Sequence, residues 1–176
     1  MTPAPRAPLS AVLITRNAAS VLGACLDSLA FVDEIVVVDS SSTDRTVELA
    51  REKGARVVPK EWLGFGRQKQ FAVEQASHDW VLCLDADERV SPELRQEILA
   101  LAGQGFPEHA GWRMPRMSRY LGRWIRHGTW YPDLQLRLFD RRRGRWGGHD
   151  PHDRVEIDGS AGRFRTLTLP AGMPLK

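Results

Sequence analysis

The chain has 176 residues, of which 42% are hydrophobic and 27% are charged, and its formal net charge is +3. The length suits one domain with a real core, and the composition is that of an ordinary soluble globular protein. No apolar run approaches transmembrane length, which excludes a membrane-spanning helix in the sequence as read.

Hydrophobic patterning predicts alternating strands and helices over the first hundred residues. The predicted strands are Ala11–Thr15, Ile35–Asp39, Ala55–Val58 and Trp80–Leu84, and the predicted helices carry Val21 to Leu29, Val47–Lys53, Arg67–Ser77 and a segment that begins at Pro92. Asn17 and Ser91 are expected to cap the first and last of these helices, and Ser41 with Asp44 has the spacing of a capping box. This alternation predicts an α/β fold with a mainly parallel sheet flanked by helices.

After Gly103 the regular pattern is lost except near Leu134 to Phe139, where we expect a short antiparallel element. Between Gly111 and Gly147 there are ten arginines but only two acidic residues, and tryptophans are interleaved with them. This irregular stretch suits a phosphate-bearing acceptor, an anionic membrane or single-stranded nucleic acid, while burial of the tryptophans and solvation of the arginines would account for about half of it.

The ends of the chain and its cysteines indicate the compartment. Residues 1–8 contain three prolines and no apolar signal core, so we interpret them as a disordered lead-in. Cys25 and Cys83 both lie in apolar segments, which favours buried thiols in a reducing compartment over a disulfide. We therefore expect a cytoplasmic protein, with contact to a membrane surface left open.

Two aspartates, Asp85 and Asp87, directly follow the fourth predicted strand. With twelve aspartates in the chain, about one D-x-D is expected by chance, so the motif has weight only through its position. In open α/β sheets, ligands bind at the carboxyl ends of the strands. A carboxylate pair there can hold a divalent cation, which in turn holds a diphosphate. A phosphoacceptor or hydrolase role is the competing interpretation.

Two further side chains are candidates for ligand contact. Asp39 ends the second strand and can accept hydrogen bonds from a ribose or a base, although capping of the following helix is the simpler alternative. Lys69 lies on the next-to-last predicted helix and can hold a diphosphate, although by itself a lysine on a helix more often faces solvent.

The segment His149–Asp153 is dense in ionisable groups. A carboxylate beside a histidine can act as a general base toward a hydroxyl group. The same cluster can bind a transition metal, or it can be a solvated loop, and the sequence chemistry alone does not separate these alternatives.

Together these motifs resemble a family 2 glycosyltransferase of the GT-A (Rossmann-like) fold. The resemblance rests on Leu13–Asn17, Val37–Thr46, Lys69-Gln70 and Leu84–Glu88, which match the family in order and spacing from residue 9 to about 101. The later runs Tyr120–Gly128 and Trp130–Phe139 are similar to the branch that adds a β-linked glucose to a heptose of the lipopolysaccharide inner core. That branch has a His-Glu pair where this chain has His152-Asp153.

The resemblance implies a role for each matching residue. The implied nucleotide-binding residues are Thr15, Arg16, Asn17, Asp39, Lys69, Asp85, Ala86 and Asp87, of which Asp87 would also hold Mg²⁺ or Mn²⁺. Asp153 would be the catalytic base, and Trp130, Gln135 and Arg137 would shape the acceptor side. Residues 9–103 would form the nucleotide-sugar half and 104–176 the acceptor side of the same domain.

The implied activity is an inverting, metal-dependent transfer of glucose from a UDP-sugar to a lipopolysaccharide-core or related glycolipid or oligosaccharide acceptor. The implied location is the cytoplasm, peripheral to the inner face of the inner membrane, and no nucleic-acid partner is expected. Members of this branch continue further, so the chain is expected to be a C-terminally shortened member. The alternatives are a non-catalytic sugar-nucleotide-binding remnant and a sugar-phosphate nucleotidyltransferase, although no glycine-rich basic loop follows the first strand.

Overall fold

The structure is a computed structural model that describes residues 6–116, 119–120, 123–124, 133–149, 152–166 and 168–170. In chain order its elements are β1 Leu9–Thr15, α1 Ala19–Ser28, β2 Glu34–Asp39, α2 Thr46–Glu52, β3 Arg56–Pro59, α3 Phe65–Gln75, β4 Trp80–Cys83, β5 Glu88–Val90, α4 Pro92–Gly103, β6 Gly111–Arg116, β7 Arg119–Tyr120, β8 Arg123–Trp124, β9 Asp133–Asp140, β10 Gly144–His149, β11 His152–Ile157, β12 Ala161–Arg163 and β13 Thr168–Pro170.

Nine of the described strands form one large mixed sheet in the order β3-β2-β1-β4-β9-β6-β13-β5, with β12 beside β6. β10 pairs with β11, and β7 with β8, in two separate two-stranded sheets. The neighbours β3, β2, β1 and β4 are all parallel, whereas β9 pairs antiparallel with both β4 and β6. The expected α/β architecture, a largely parallel sheet flanked by helices, is therefore confirmed.

Helices cover this sheet on two sides because its central strands are apolar along their whole length. One core contains Leu13 of β1 with Leu22, Ala50 and Ile98 from α1, α2 and α4. The other core packs Ala72 and Val73 of α3, with Trp146 of the β10–β11 hairpin, against the opposite face. Continuous apolar strands such as β1 and β2 are expected when both faces of a sheet are buried.

The capping predictions are confirmed at one helix and wrong at two. The Ser91 hydroxyl accepts a hydrogen bond from the Leu94 amide at 3.1 Å, and Pro92 begins α4 as expected. Neither α1 nor α2 has a side-chain cap. The Asn17 side-chain oxygen instead accepts a hydrogen bond from the Thr43 backbone amide. The Asn17 side chain therefore joins the loops that follow β1 and β2.

The region after Gly103 contains more regular structure than its Arg- and Trp-rich sequence indicates. β6 and β9 extend the main sheet, and β10 pairs with β11 as an antiparallel hairpin. Trp112 and Met114 of β6 and Leu138 of β9 are buried in the first core. The sequence pattern is obscured there because charged residues such as Arg137 and Asp140 of β9 are buried among the apolar ones.

Both cysteines are buried free thiols, as predicted, and burial raises the pKa of Cys83 to about 11. None of the helices in the described ranges combines the length and apolar composition needed to cross a bilayer.

We predict that Gly111→Ala destabilises the fold where β6 meets β9. A methyl group at Gly111 would lie 2.9 Å from the Leu138 carbonyl oxygen and 3.0 Å from Phe139 Cβ, so the two strands would have to move apart. The expected loss is about 1–3 kcal/mol in the free energy of unfolding, measured by chemical denaturation.

The matched control is Gly23→Ala in α1, where the nearest atom to an added methyl group is Leu49 Cδ2 at 3.7 Å. That change should leave stability unchanged or raise it by up to about 1 kcal/mol, because alanine favours the helix interior. Equal stability of the Gly111→Ala variant and the unmodified protein would contradict the packing described for β6 and β9.

Candidate active site

The polar residues predicted from the strand ends meet at one edge of the sheet. Thr15 ends β1, Asp39 ends the neighbouring β2, and Asp85 follows β4 on the other side of β1. Because these strands are parallel, their carboxyl ends lie side by side, which is the usual ligand-binding edge of an open α/β sheet.

Asp39 is buried and its carboxylate is used to organise this edge. It accepts hydrogen bonds from the Thr15 hydroxyl at 2.9 Å and from the Ser42 amide at 2.9 Å. The Ser42 hydroxyl also donates to it and itself accepts a hydrogen bond from the Asn17 amide. Asp39 and Asn17 therefore hold the loops after β1 and β2 together. Arg16, which lies between Thr15 and Asn17, is exposed.

Asp85 is held by a buried arginine from β9. Arg137 Nη2 donates to Asp85 Oδ2 at 2.8 Å and lies 3.4 Å from Glu88 Oε2, and only 3% of Arg137 is exposed. Glu88 Oε2 also accepts a hydrogen bond from the Asp85 amide at 3.1 Å. This cluster of Asp85, Glu88 and Arg137 fixes the turn that contains both aspartates of the D-x-D motif.

Burial and charge act in opposite directions within this cluster. Burial alone would raise the pKa of Asp85, but the positive charges of Arg137 and Lys69 outweigh it and lower the pKa to about 2. Burial raises the pKa of Glu88 above its usual range. Burial would lower the pKa of Arg137, but Glu88 and Asp85 outweigh it and raise that pKa further. Asp85 and Arg137 are therefore an ionised pair at neutral pH.

Lys69 joins the D-x-D region to Asp153, the residue predicted to be the base. Its Nζ donates to Asp153 Oδ2 at 2.8 Å and lies 3.6 Å from Asp85 Oδ1. The ammonium group also lies 4.5 Å from the centre of the Trp146 ring. Lys69 is therefore not on a solvated helix face, since only 15% of its side chain is exposed.

Asp153 reaches this position because α3 and the hairpin approach closely. It lies opposite Gly148 in the β10–β11 ladder, and a methyl group on Gly66 of α3 would be only 3.3 Å from Asp153 Cβ. Asp150 and Pro151 of the charged segment lie outside the described residues.

Asp87 differs from Asp85 in being exposed and, in the part of the chain that the structure describes, it makes no hydrogen bond or salt bridge. No three acidic, histidine or cysteine side chains in that part are grouped as metal ligands. A single available carboxylate fits Mg²⁺ or Mn²⁺ bound together with substrate phosphates, since Mg²⁺ commonly keeps only one or two protein carboxylates.

An open cleft of about 390 Å³ adjoins these residues. Its lining consists of Ile14, Thr15, Arg16, Trp62, Phe65, Asp85 and Ala86. Four predicted nucleotide-binding residues thus line one cavity, together with Trp62 from the loop before α3 and Phe65 at the start of that helix. The sequence analysis gave no role to Trp62, Phe65 or Glu88, and the only available signal was two aromatic residues in a loop bounded by Pro59 and Gly66.

Of the three residues predicted for the acceptor side, Arg137 and Gln135 are among the described residues, and they make different contacts. Arg137 lies beneath Asp85, on the donor side. Gln135 lies two residues before it on β9, and its side-chain amide donates to Asp133 at 2.6 Å. Trp130 lies outside the described residues.

We predict that Arg137→Met destabilises the protein by about 3–5 kcal/mol at neutral pH, because two carboxylates would be left in a largely buried site without their cation. The deficit should shrink as the pH falls. In the unmodified protein, ionised Asp85 contributes fully to the free energy of unfolding above the usual carboxyl pKa of 3.8, and this contribution is lost as the pH falls toward 2. The variant lacks this contribution, so the difference in stability between the two proteins becomes smaller at low pH.

Denaturation curves collected from pH 7 to pH 2 would measure this dependence. Arg145→Met, which removes an exposed arginine of the hairpin, is the control. A deficit that stays constant over this pH range would show that Arg137 acts by packing alone.

Comparisons with known proteins are consistent with this geometry. The chain is 37% identical over 180 residues to the lipopolysaccharide core biosynthesis glycosyltransferase LpsC of Rhizobium meliloti, a match that covers 97% of this chain and 65% of LpsC. The chain thus spans about two thirds of the length of that relative.

Solved structures share the fold. S. aureus TarS in complex with UDP superposes with a TM-score of 0.53 at 22% identity, over 76% of this chain and 47% of TarS. Glucosyl-3-phosphoglycerate synthase of Mycobacterium tuberculosis, solved with Mn²⁺, UDP and glucosyl-3-phosphoglycerate, gives a TM-score of 0.50 at 27% identity, over 64% of this chain and 44% of that protein. Residues 10–167 match the model of glycosyl transferase family 2, and the chain therefore belongs to that family.

Proposed function

We propose that this protein is an inverting glycosyltransferase that moves glucose from UDP-glucose to a lipopolysaccharide-core or related glycan acceptor. The observation that carries the proposal is the position of Lys69, whose ammonium group joins the D-x-D residue Asp85 to the candidate base Asp153. The residue proposed to contact the donor and the candidate catalytic base therefore both contact the same ammonium group. The similarity to LpsC supports the acceptor class, and the UDP complexes of structural relatives support the donor class.

The donor would occupy the cleft at the carboxyl edge of the sheet. Arg16 and Ala86 line it directly, while Asp39 and Asn17 hold its loops in place. Lys69 lies where a diphosphate would approach Asp85, and its positive charge would stabilise the negative charge that develops on the leaving group. Binding of the diphosphate gives Lys69 an alternative partner, which frees the Asp153 carboxylate.

The chemical step in this proposal is a single displacement at the anomeric carbon. The acceptor hydroxyl transfers its proton to Asp153 while its oxygen bonds to that carbon. The bond from the carbon to the diphosphate oxygen breaks, and UDP leaves with the electron pair. Asp153 is suited to this task because only 11% of its side chain is exposed and its carboxylate lies 2.8 Å from the Lys69 ammonium group.

A divalent cation, when bound, would act as a Lewis acid on the diphosphate. Asp87 would hold it, because its carboxylate is exposed and carries no competing contact among the described residues. Asp85 is less suited to that role, since its oxygens already contact Arg137 and Lys69.

The second part of the chain would serve the acceptor. Residues 9–103 would supply most of the donor contacts and residues 104–176 the acceptor side, with Arg137 as an exception that supports Asp85. An acceptor carried on a lipid would place the enzyme at the inner face of a membrane, where the arginines between Gly111 and Gly147 could meet anionic headgroups.

We predict that UDP-glucose binds with Mn²⁺ and that EDTA or Asp87→Ala weakens binding and abolishes metal-dependent transfer. Calorimetric titration measures the first effect, and an assay with a heptose-containing core acceptor measures the second. Full activity of Asp87→Ala would rule out its role in holding the metal. Absence of binding by a folded sample under either condition would rule out the donor.

We predict that Asp153→Asn binds UDP-glucose normally but transfers glucose about 10²- to 10⁴-fold more slowly, because the amide cannot accept the acceptor proton. Asp158→Asn, an exposed change just beyond the same hairpin, should leave the rate unchanged. If the unmodified protein binds the donor without any turnover, the non-catalytic alternative is favoured instead.

A further inference from the structure

Trp62 and Phe65 are two of the large apolar side chains exposed in the described part of the chain. They are 44% and 48% exposed, and their rings meet edge to face with centroids 4.8 Å apart. Both line the 390 Å³ cleft that also contains Arg16 and Asp85. Exposed aromatic residues grouped at a cleft more often mark a binding surface than a packing defect.

The loop that carries this aromatic pair is held in place by a buried glutamine. The Gln68 side chain is fully buried, and its amide nitrogen donates to the Ser40 hydroxyl at 2.9 Å. Its amide oxygen accepts a hydrogen bond from the Leu63 backbone amide at 3.2 Å. A buried amide is retained only where its hydrogen bonds are made, so Gln68 ties the loop to the end of β2.

The glycine between the two aromatic residues sets their relative placement. Gly64 has φ +91°, a conformation that other residues rarely adopt, and it directly precedes α3. This turn lets Phe65 begin the helix while Trp62 remains in the loop, and both rings face the same cavity. The exposed aromatic surface is thus built by the fold.

The lining of the cleft combines apolar and charged side chains. Ile14, Trp62 and Phe65 are apolar, whereas Asp85 is paired with Arg137 and lies near Lys69. In a nucleotide sugar, the base is the part with flat apolar faces, while the diphosphate and the sugar hydroxyls need polar partners. An orientation that gives each part of the nucleotide sugar a suitable partner places its nucleobase at the aromatic pair and its diphosphate toward Lys69.

We propose that Trp62 and Phe65 form the wall of the cleft on which the planar base of the donor nucleotide stacks, and that Gln68 is the positioning residue for that wall. The proposal rests on the proposed function, because it assigns the base subsite of the same donor cleft. Base–aromatic stacking tolerates any planar base, so the pair contributes affinity, and other groups would choose between bases.

The test compares the dissociation constants of UMP, UDP and UDP-glucose for four variants. Trp62→Ala and Phe65→Ala should each weaken binding about 10-fold or more, by the same factor for all three ligands, since these share the base. Trp62→Phe should retain most of the affinity. Leu63→Ala is the matched control, because Leu63 is 40% exposed in the same loop but faces a different groove.

Three other results would each contradict the stacking proposal for a different reason. Unchanged affinity of the alanine variants for UMP and UDP excludes stacking on the base. A loss confined to UDP-glucose would show that the pair contacts the sugar. If the unmodified folded protein binds none of the three ligands, the proposed function fails as well, which separates that failure from an error in the base subsite alone.

Discussion

The ionised pair between Arg137 and Asp85 is the interaction on which the candidate site depends. Burying a guanidinium group is costly unless carboxylates surround it, and here Asp85 and Glu88 both do so. Arg137 comes from β9, which follows the D-x-D turn only after β5, α4, β6, β7 and β8. The shape of the D-x-D turn therefore depends on correct pairing between the two parts of the chain.

The same arrangement gives the two aspartates of the motif different surroundings. Asp85 contacts Arg137 and Lys69, whereas Asp87 is exposed, and in the function we propose Asp87 would hold the metal. Their spacing of two residues does not by itself produce this difference. It arises because Glu88 anchors the turn, with its carboxylate bonded to the Asp85 amide and close to Arg137.

Lys69 has a comparable double role on the opposite side of the cleft. In the absence of a donor it neutralises Asp153, and a diphosphate would compete for the same ammonium group. In the function we propose, the cation would stabilise the Asp153 carboxylate before the substrate arrives and the negative charge that develops on the leaving group afterwards. Such an exchange of partners would couple donor binding to release of Asp153. The Lys69 ammonium group also lies 4.5 Å from the centre of the Trp146 ring.

The sequence by itself determined the strand–helix order of the first hundred residues and the D-x-D at a strand end. It did so because buried parallel strands are continuous apolar runs and because strand ends position polar residues. Only the tertiary structure decided which of these residues meet. Arg137, Lys69 and Asp153 are far apart in sequence, and their contacts depend on the pairing of β9 with β4 and the packing of the hairpin on α3. Likewise, whether Trp62 and Phe65 are core or exposed follows from the three-dimensional course of their loop, which a buried glutamine fixes.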